Sequence, residues 1–500
     1  MSSEESQNMS QVARGAKVLM PATLIGTILV LAHDMLINGL ISTEEYGLYA
    51  TCKRVLQVGF LLIFLGLENA VIHFVSKGRA TGNRRAEAGA WQGAQLATLV
   101  AGVVLAAVLF VWAEPIGSLF QKDAGEALPW ALRVLAIALP LAALRMMTTS
   151  ASQGLLVMWP KAIILQVLWP LINLIGVALF VWVLGQGLAG VLWAYDLSMA
   201  VGALLGLYIL LRHRPDFFRK GESGTLPFKA LAAFSFPLWI YTLVNAAYAW
   251  GDQLMLAKLA GLEAAGIYAP VATLAPLFGI GLTALSGIFA PMISGLHATG
   301  DKEGLRALYK TVSRWALTLA LPICAGALVV PEAVVGVWPA GRPEAAPALQ
   351  ILALANIPGV AVGSVNYMLI MSGHQRHVLW NGIPGVFVNL ALGFWLIPKY
   401  GLTGAAIANG GALVFISVVA ACQVWWLLGA QPISLKMYKP LVAILPAGFA
   451  GYHAGQLFEL APLVTVAFVG LVIAVVFTVA MLLLGIEPGD RDVLRARRGR

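Results

Sequence analysis

Two aspartates stand inside apolar stretches of a sequence that keeps charge out of most such stretches. Asp34 opens DMLINGLISTEEYGLY and Asp252 opens DQLMLAKLAGLEAAGIY, and in both a polar gap with an acidic residue leads to Gly-x-Tyr. Cations follow the first copy only: Lys53 and Arg54, with Arg133 and Arg145 in a later apolar run. Ionisable groups are costly in hydrocarbon, so each raises a functional question. A guanidinium can grip phosphate oxygens through paired N–H donors. Asp34 has Lys53 and Arg54 at its own depth by the helical rise, so a structural ion pair with one of them is expected. Asp252 has Ala272 and Thr273 at the corresponding positions. Left unpaired, it could bind and release a proton near neutral pH or accept Na⁺, and Asn245 and Tyr248 share its helix face. The competing role is a hydrogen bond to a neighbouring helix, or a pair with Lys258.

The elements that must position these groups follow from composition. Of 500 residues, 60% are hydrophobic and 11% charged, against about 25% charged in soluble domains; mean hydropathy is +0.84. Fourteen apolar runs, from Val18–Leu40 to Pro462–Ile486, reach the ~20 residues that cross a bilayer as helix. No strand-like alternation runs through the chain, which argues against a β-barrel. The expected fold is an all-α polytopic membrane protein. Most of the 32 Lys and Arg fall in alternate loops, on the side that holds the N-terminus. The positive-inside rule then places both termini in the cytoplasm. The +9 balance is thereby explained without nucleic acid, and contact with anionic membrane lipids is a secondary effect. Cys52, Cys324 and Cys422 all fall in spans, so no disulfide framework is implied. His374 and His377 lack further ligands for a metal, and no cofactor motif occurs.

The sequence repeats itself. Gly47 and Tyr49 recur 219 residues on as Gly266 and Tyr268. SQGLLVMWPKA is echoed by SGHQRHVLW, GLAGVLWA by GLTGAAIA, and ATGNRRAEAGA by ATGDKEGLRAL. Six spans repeat as six in the same orientation, which implies two lobes related by an axis along the membrane normal. The expected organisation is a six-helix lobe over residues 1–211, a cytoplasmic linker over 212–230 and a second six-helix lobe over 231–428. Two extra helices and a basic tail complete it over 429–500.

The EEYGLY and EAAGIY entries, GLENAVIHF, ATGD and KYGLTGAAIA, in this order and repetition, resemble the polysaccharide transport family. These are the O-antigen and exopolysaccharide flippases of the multidrug/oligosaccharidyl-lipid/polysaccharide exporter superfamily. The resemblance covers nearly the whole chain. It implies a transporter, not an enzyme, that flips an undecaprenyl-diphosphate-linked oligosaccharide from the cytoplasmic to the periplasmic leaflet of the bacterial inner membrane by alternating access. On that reading Arg54, Lys53 and Arg145 hold the diphosphate. Gln57, Asn69 and Asn173 line the sugar path, since amides offer both donors and acceptors to hydroxyls; helix–helix hydrogen bonding is the plainer role for each. Asp252, Tyr248 and Asn245 couple transport to an H⁺ or Na⁺ gradient, Asp34 is structural, and a polysaccharide polymerase is an expected partner. A peptidoglycan-precursor flippase and a cation-coupled multidrug exporter share the fold. The exporter would want an acidic cavity, which the cationic first lobe opposes. A glycosyltransferase or polymerase would want an extramembrane domain or clustered loop carboxylates, which the short loops do not supply.

Overall fold

The computed structural model describes residues 3–120, 127–218, 228–339, 341–432, 434–457 and 460–485. The expected inter-lobe linker, from residue 219 on, and the basic tail lie largely or wholly outside them. Among the described residues there is no strand. Among the same residues, twelve helical stretches are long and apolar enough to cross a membrane. One of them, Gln375–Leu428, is two helices merged across Gly401, whose backbone (φ 54, ψ −122) is not helical. A further apolar helix, Tyr438–Leu457, completes fourteen: six, their six repeats and a terminal pair.

The repeated motifs prove to be helix punctuation. In ATGN and ATGD, Gly82 and Gly300 adopt φ of 67° and 71°, a region open to glycine at no steric cost. The next residue then caps a long helix: Asn83 Oδ1 accepts from the Ala86 amide at 3.0 Å, and Asp301 Oδ1 from the Gly304 amide at 2.8 Å. In GLAG and GLTG, Gly187 and Gly401 take φ of 53° and 54°. The second span starts at a capping box, with Glu45 N–H donating to Ser42 Oγ and Ser42 N–H to Glu45 Oε2, which satisfies two otherwise orphaned donors.

Several spans are interrupted where one continuous helix is expected. The second breaks after Thr43–Phe64, because Leu65 and Gly66 are both left-handed (φ 50° and 74°), and resumes as Leu67–Ala80. Trp239 Nε1 donates to the Leu61 carbonyl at 2.8 Å beside this break. The tenth span breaks at Gly363 (φ 68°), where a side chain would strike Ser313. Tyr309 Oη donates to the Val362 carbonyl next to that break.

The chain packs as two compact units, residues 1–250 with 260–266, and residues 251–259 with 267–500. The division falls inside helix Phe228–Leu259, between Trp250 and Gly251. In the first unit, the helix starts carrying Gly47 and Gly266 cross in backbone contact. A Cβ on Gly47 would collide with the Leu262 carbonyl, and one on Gly266 with that of Thr43. Small residues permit such close helix crossings in membranes, which accounts for the repeated glycine of EEYGLY and EAAGIY. In the second unit, Tyr438–Leu457 and Pro462–Leu483 pack together and on the ninth span through Ala325, Ala443, Ala447, Val469 and Ile473. Trp182, Trp426 and Leu483 are exposed, as side chains facing lipid would be.

Candidate functional site

Each repeat builds a polar centre on its first two spans. In the first unit Asp34 is 3% exposed. Lys53 Nζ lies 3.7 Å from its Oδ1, and the adjacent His33 Nδ1 lies 3.4 Å from the same oxygen. Lys53, one of the two cations expected as partners for Asp34, forms an ion pair with it, and its ammonium also sits 5.7 Å from the Tyr49 ring centre. Arg54 has contacts within and beyond its own span. Its Nη1 donates to Gln57 Oε1 at 2.8 Å, and its guanidinium lies 5.9 Å from the Trp250 ring centre. Gln57 and Arg54 stand one turn apart, so the amide holds the guanidinium within the span.

Arg145 is half-buried on the fourth span, its stem against Gly202 of the sixth, where a Cβ would come within 2.9 Å of Arg145 Cδ. Its Nε has no hydrogen-bond partner among the described residues. Asn173 on the fifth span is fully buried, and neither of its amide atoms has such a partner. Buried polar atoms without partners are rare in native folds, and each calls for an account such as water, an ion or a ligand. Asn69 is exposed, directly after the break in the second span, and donates to Glu68 Oε1 at 3.2 Å. Arg54, Lys53, Gln57, Asn69, Arg145 and Asn173 thus all belong to the first unit. Among them, Arg54 and Gln57 are hydrogen-bonded to each other.

In the second unit Asp252 is 3% exposed and accepts hydrogen bonds from its own and neighbouring spans. Tyr268 Oη donates to its Oδ2 at 2.7 Å, Asn409 Nδ2 to the same oxygen at 3.1 Å, and the Gln253 amide to Oδ1 at 2.8 Å. The carboxylate is therefore hydrogen-bonded across to the eighth and twelfth spans, not unpaired. Asn245 spends its amide on the Tyr241 carbonyl one turn back at 2.8 Å and is exposed. Tyr248 is half-buried.

Sequence reasoning missed the two side chains that grip Asp252. Tyr268 carried a signal, since it is the Tyr of the repeated Gly-x-Tyr; its counterpart Tyr49 is equally buried, but its hydroxyl has no partner among the described residues. Asn409, 157 residues from Asp252, carried none. Asp196, buried on the sixth span with neither carboxylate oxygen partnered among the described residues, was missed as well. Arg314, counted from the sequence among the loop cations, lies inside helix Lys302–Val329 at 8% exposure. The second repeat therefore also holds a buried cation. Among the described residues no three potential metal ligands converge.

Fourteen apolar helices among the described residues, in a six-plus-six-plus-two order and with ionisable groups held inside the spans, define a polytopic α-helical membrane protein. Residues 12–297 match the family described as polysaccharide biosynthesis protein, and the chain belongs to that family. Over 265 residues it is 23% identical to the probable flippase AglR of Haloferax volcanii, covering 52% of each chain. The chain thus spans about half the length of that relative. Among solved structures, lipid II flippase MurJ in an inward closed conformation aligns with a TM-score of 0.73 at 13% identity, over 95% of this chain and 99% of that one. An inward-facing multidrug resistance transporter of the MATE family aligns with a TM-score of 0.66 at 15% identity, over 83% and 98%. At these identities the likeness is one of fold.

Proposed function

We propose that the protein is a secondary transporter that flips an undecaprenyl-diphosphate-linked oligosaccharide from the cytoplasmic to the periplasmic leaflet of a bacterial inner membrane, by alternating access. The observation that carries this reading is Arg54. Inside a membrane span, its guanidinium is steadied by Gln57 and Trp250, while the neighbouring Lys53 is committed to Asp34. A diphosphate crossing hydrocarbon needs fixed cations, because its charges would otherwise go unpaired, and a guanidinium binds two of its oxygens at once. Arg145 is the second candidate contact. The buried amide of Asn173 offers both a donor and an acceptor to sugar hydroxyls. Family membership supports a part in polysaccharide biosynthesis, and the flippase relative supports a flipping role.

Coupling belongs, in the same proposal, to Asp252 with Tyr268 and Asn409. A carboxylate with a phenol and an amide oxygen nearby can take up H⁺ or Na⁺ in place of the hydrogen bonds it now accepts. The decisive experiment is gradient-driven flipping of a polyprenyl-diphosphate-linked oligosaccharide in proteoliposomes. Arg54→Ala should abolish transport while inserted protein remains at the wild-type level, and Arg54→Lys should restore only part, since the paired grip is lost. Full activity of Arg54→Ala would remove the diphosphate from this place.

A further inference from the structure

A second cationic feature lies outside the spans, on the Lys/Arg-rich face of the first unit. There a cavity of about 750 Å³ opens between the start of the third span, the loop joining the fourth and fifth spans, and the end of the sixth. Its floor is built. Glu87, only 3% exposed, pairs with Arg214 Nη1, and Arg214 grips Asp216 through Nε at 2.9 Å and Nη2 at 2.7 Å. The guanidinium stacks 4.5 Å from the Phe217 ring centre. Gln92 Nε2 fixes the Phe217 carbonyl at 2.6 Å. Arg214 is thereby fully committed, and its two acids neutralise the floor with one negative charge to spare.

The rim is different. Arg79 and Arg84 line the cavity, yet neither donates a side-chain hydrogen bond or forms an ion pair among the described residues. They more than balance the floor, leaving the cavity a net cation. His213 also lines it, and holds the Ile209 carbonyl with Nδ1 at 2.9 Å. The opposite wall, Leu155 and Val157, is apolar. It continues into a loop where Leu156 (φ 63°) is 45% exposed and Trp159 40% exposed. Exposed Leu and Trp at the end of a membrane helix are the side chains that settle at a headgroup boundary.

Cationic rim on one side and an exposed apolar loop on the other describe the two halves of an amphiphile. We propose that this cavity binds the phosphate of a lipid headgroup at the membrane boundary, with Arg79 and Arg84 on the phosphate oxygens and the lipid chain alongside Leu156 and Trp159. The site is separate from Arg54 and does not depend on which cargo the spans carry. Two lipids supply this chemistry, an anionic phospholipid of the bilayer and a polyprenyl diphosphate.

The test is native mass spectrometry of delipidated protein titrated with phosphatidylglycerol, with farnesyl diphosphate, with diacylglycerol and with inorganic phosphate. Wild type should bind phosphatidylglycerol or farnesyl diphosphate about tenfold more tightly than the Arg79→Ala/Arg84→Ala variant, a change matching the loss of one to two charge-assisted contacts. Diacylglycerol should show no difference between the two proteins. Preference for farnesyl diphosphate would make the cavity a station for cargo, and preference for phosphatidylglycerol a bilayer-lipid site; either upholds the proposal. Both substituted residues are exposed, so the variant should fold, and a Lys/Lys variant should retain part of the affinity. Equal titrations in wild type and the double alanine variant would overturn the proposal, as would inorganic phosphate binding as tightly as the lipids. Arg54→Ala serves as the separating control. If it lost lipid binding while the rim variant kept it, the cavity would fall and the proposed transport site would stand.

Discussion

The twin aspartates have diverged in their partners while keeping their places. Asp34 faces an ammonium, and Asp252 faces a phenol and an amide. A fixed ammonium cannot be given up for a passing cation, whereas neutral donors can rotate to accept one. Asp252→Asn should therefore leave transport indifferent to the imposed H⁺ or Na⁺ gradient. Tyr268→Phe should weaken that dependence without removing it, since Asn409 remains. Flipping rates in proteoliposomes across pH and Na⁺ concentration would show this, and an unchanged dependence in Asp252→Asn would exclude the residue from coupling. Removing one partner of a buried ion pair strands the other charge, so Asp34→Asn should instead show as less folded protein. These residues were legible from the sequence as charges inside spans. Their partners were only half so, because a hydrogen bond to a residue 157 positions away leaves no local pattern. Asn69 shows the converse: an amide marked for sugar is bonded to the carboxylate beside it.

Helix boundaries have local causes, although the motifs that mark them stand out in the sequence first as repeats. A glycine at positive φ followed by Asn or Asp both ends one helix and caps the next, so ATGN and ATGD signal their geometry directly. The break in the second span was hidden because its first left-handed residue is Leu65, which carries no such signal. After the sixth span, the Glu87–Arg214–Asp216 clasp ties the chain back to the start of the third. Its hydrogen bonds to Arg214 hold the Asp216 carboxyl below the usual carboxylate range and hold the Arg214 guanidinium above its own usual value. A lowered carboxyl contributes stability that is present above its unfolded-state pKa, about 3.9 for Asp, and is lost as pH falls through the folded one. Asp216→Asn should therefore melt earlier than wild type at neutral pH, and the gap should close as the buffer is taken below about pH 4. A gap of constant size down to pH 3 would show that the carboxylate's charge is not what holds the clasp.

At the scale of the whole molecule the six-plus-six-plus-two order followed from apolar length and repetition, while the basic loops supply an expected orientation with both termini in the cytoplasm. With native cysteines replaced, a cysteine at exposed Thr81 should stay shielded from an impermeant periplasmic reagent, while ones at exposed Glu344 and Tyr400 should label; labelling of Thr81 from outside would reverse the orientation. Gly341 is a poorer site, since its Cβ would strike the Val335 carbonyl. The crossing of Gly47 with Gly266 was invisible as a contact, though its glycines were conspicuous as a repeat. Because each copy presents the same residue to the other, the contact is isologous, like that at the axis of a symmetric dimer. Its energetics should share that symmetry. Gly47→Ala and Gly266→Ala should each cost about 1–3 kcal/mol, as overpacking does, but once either methyl has pushed the helices apart the other enters space already opened. The double variant should then fall well short of the sum of the two, a coupling that a thermal-stability cycle of four proteins would measure. A fold that repeats its sequence can in this way carry a lesion twice for little more than the cost of once.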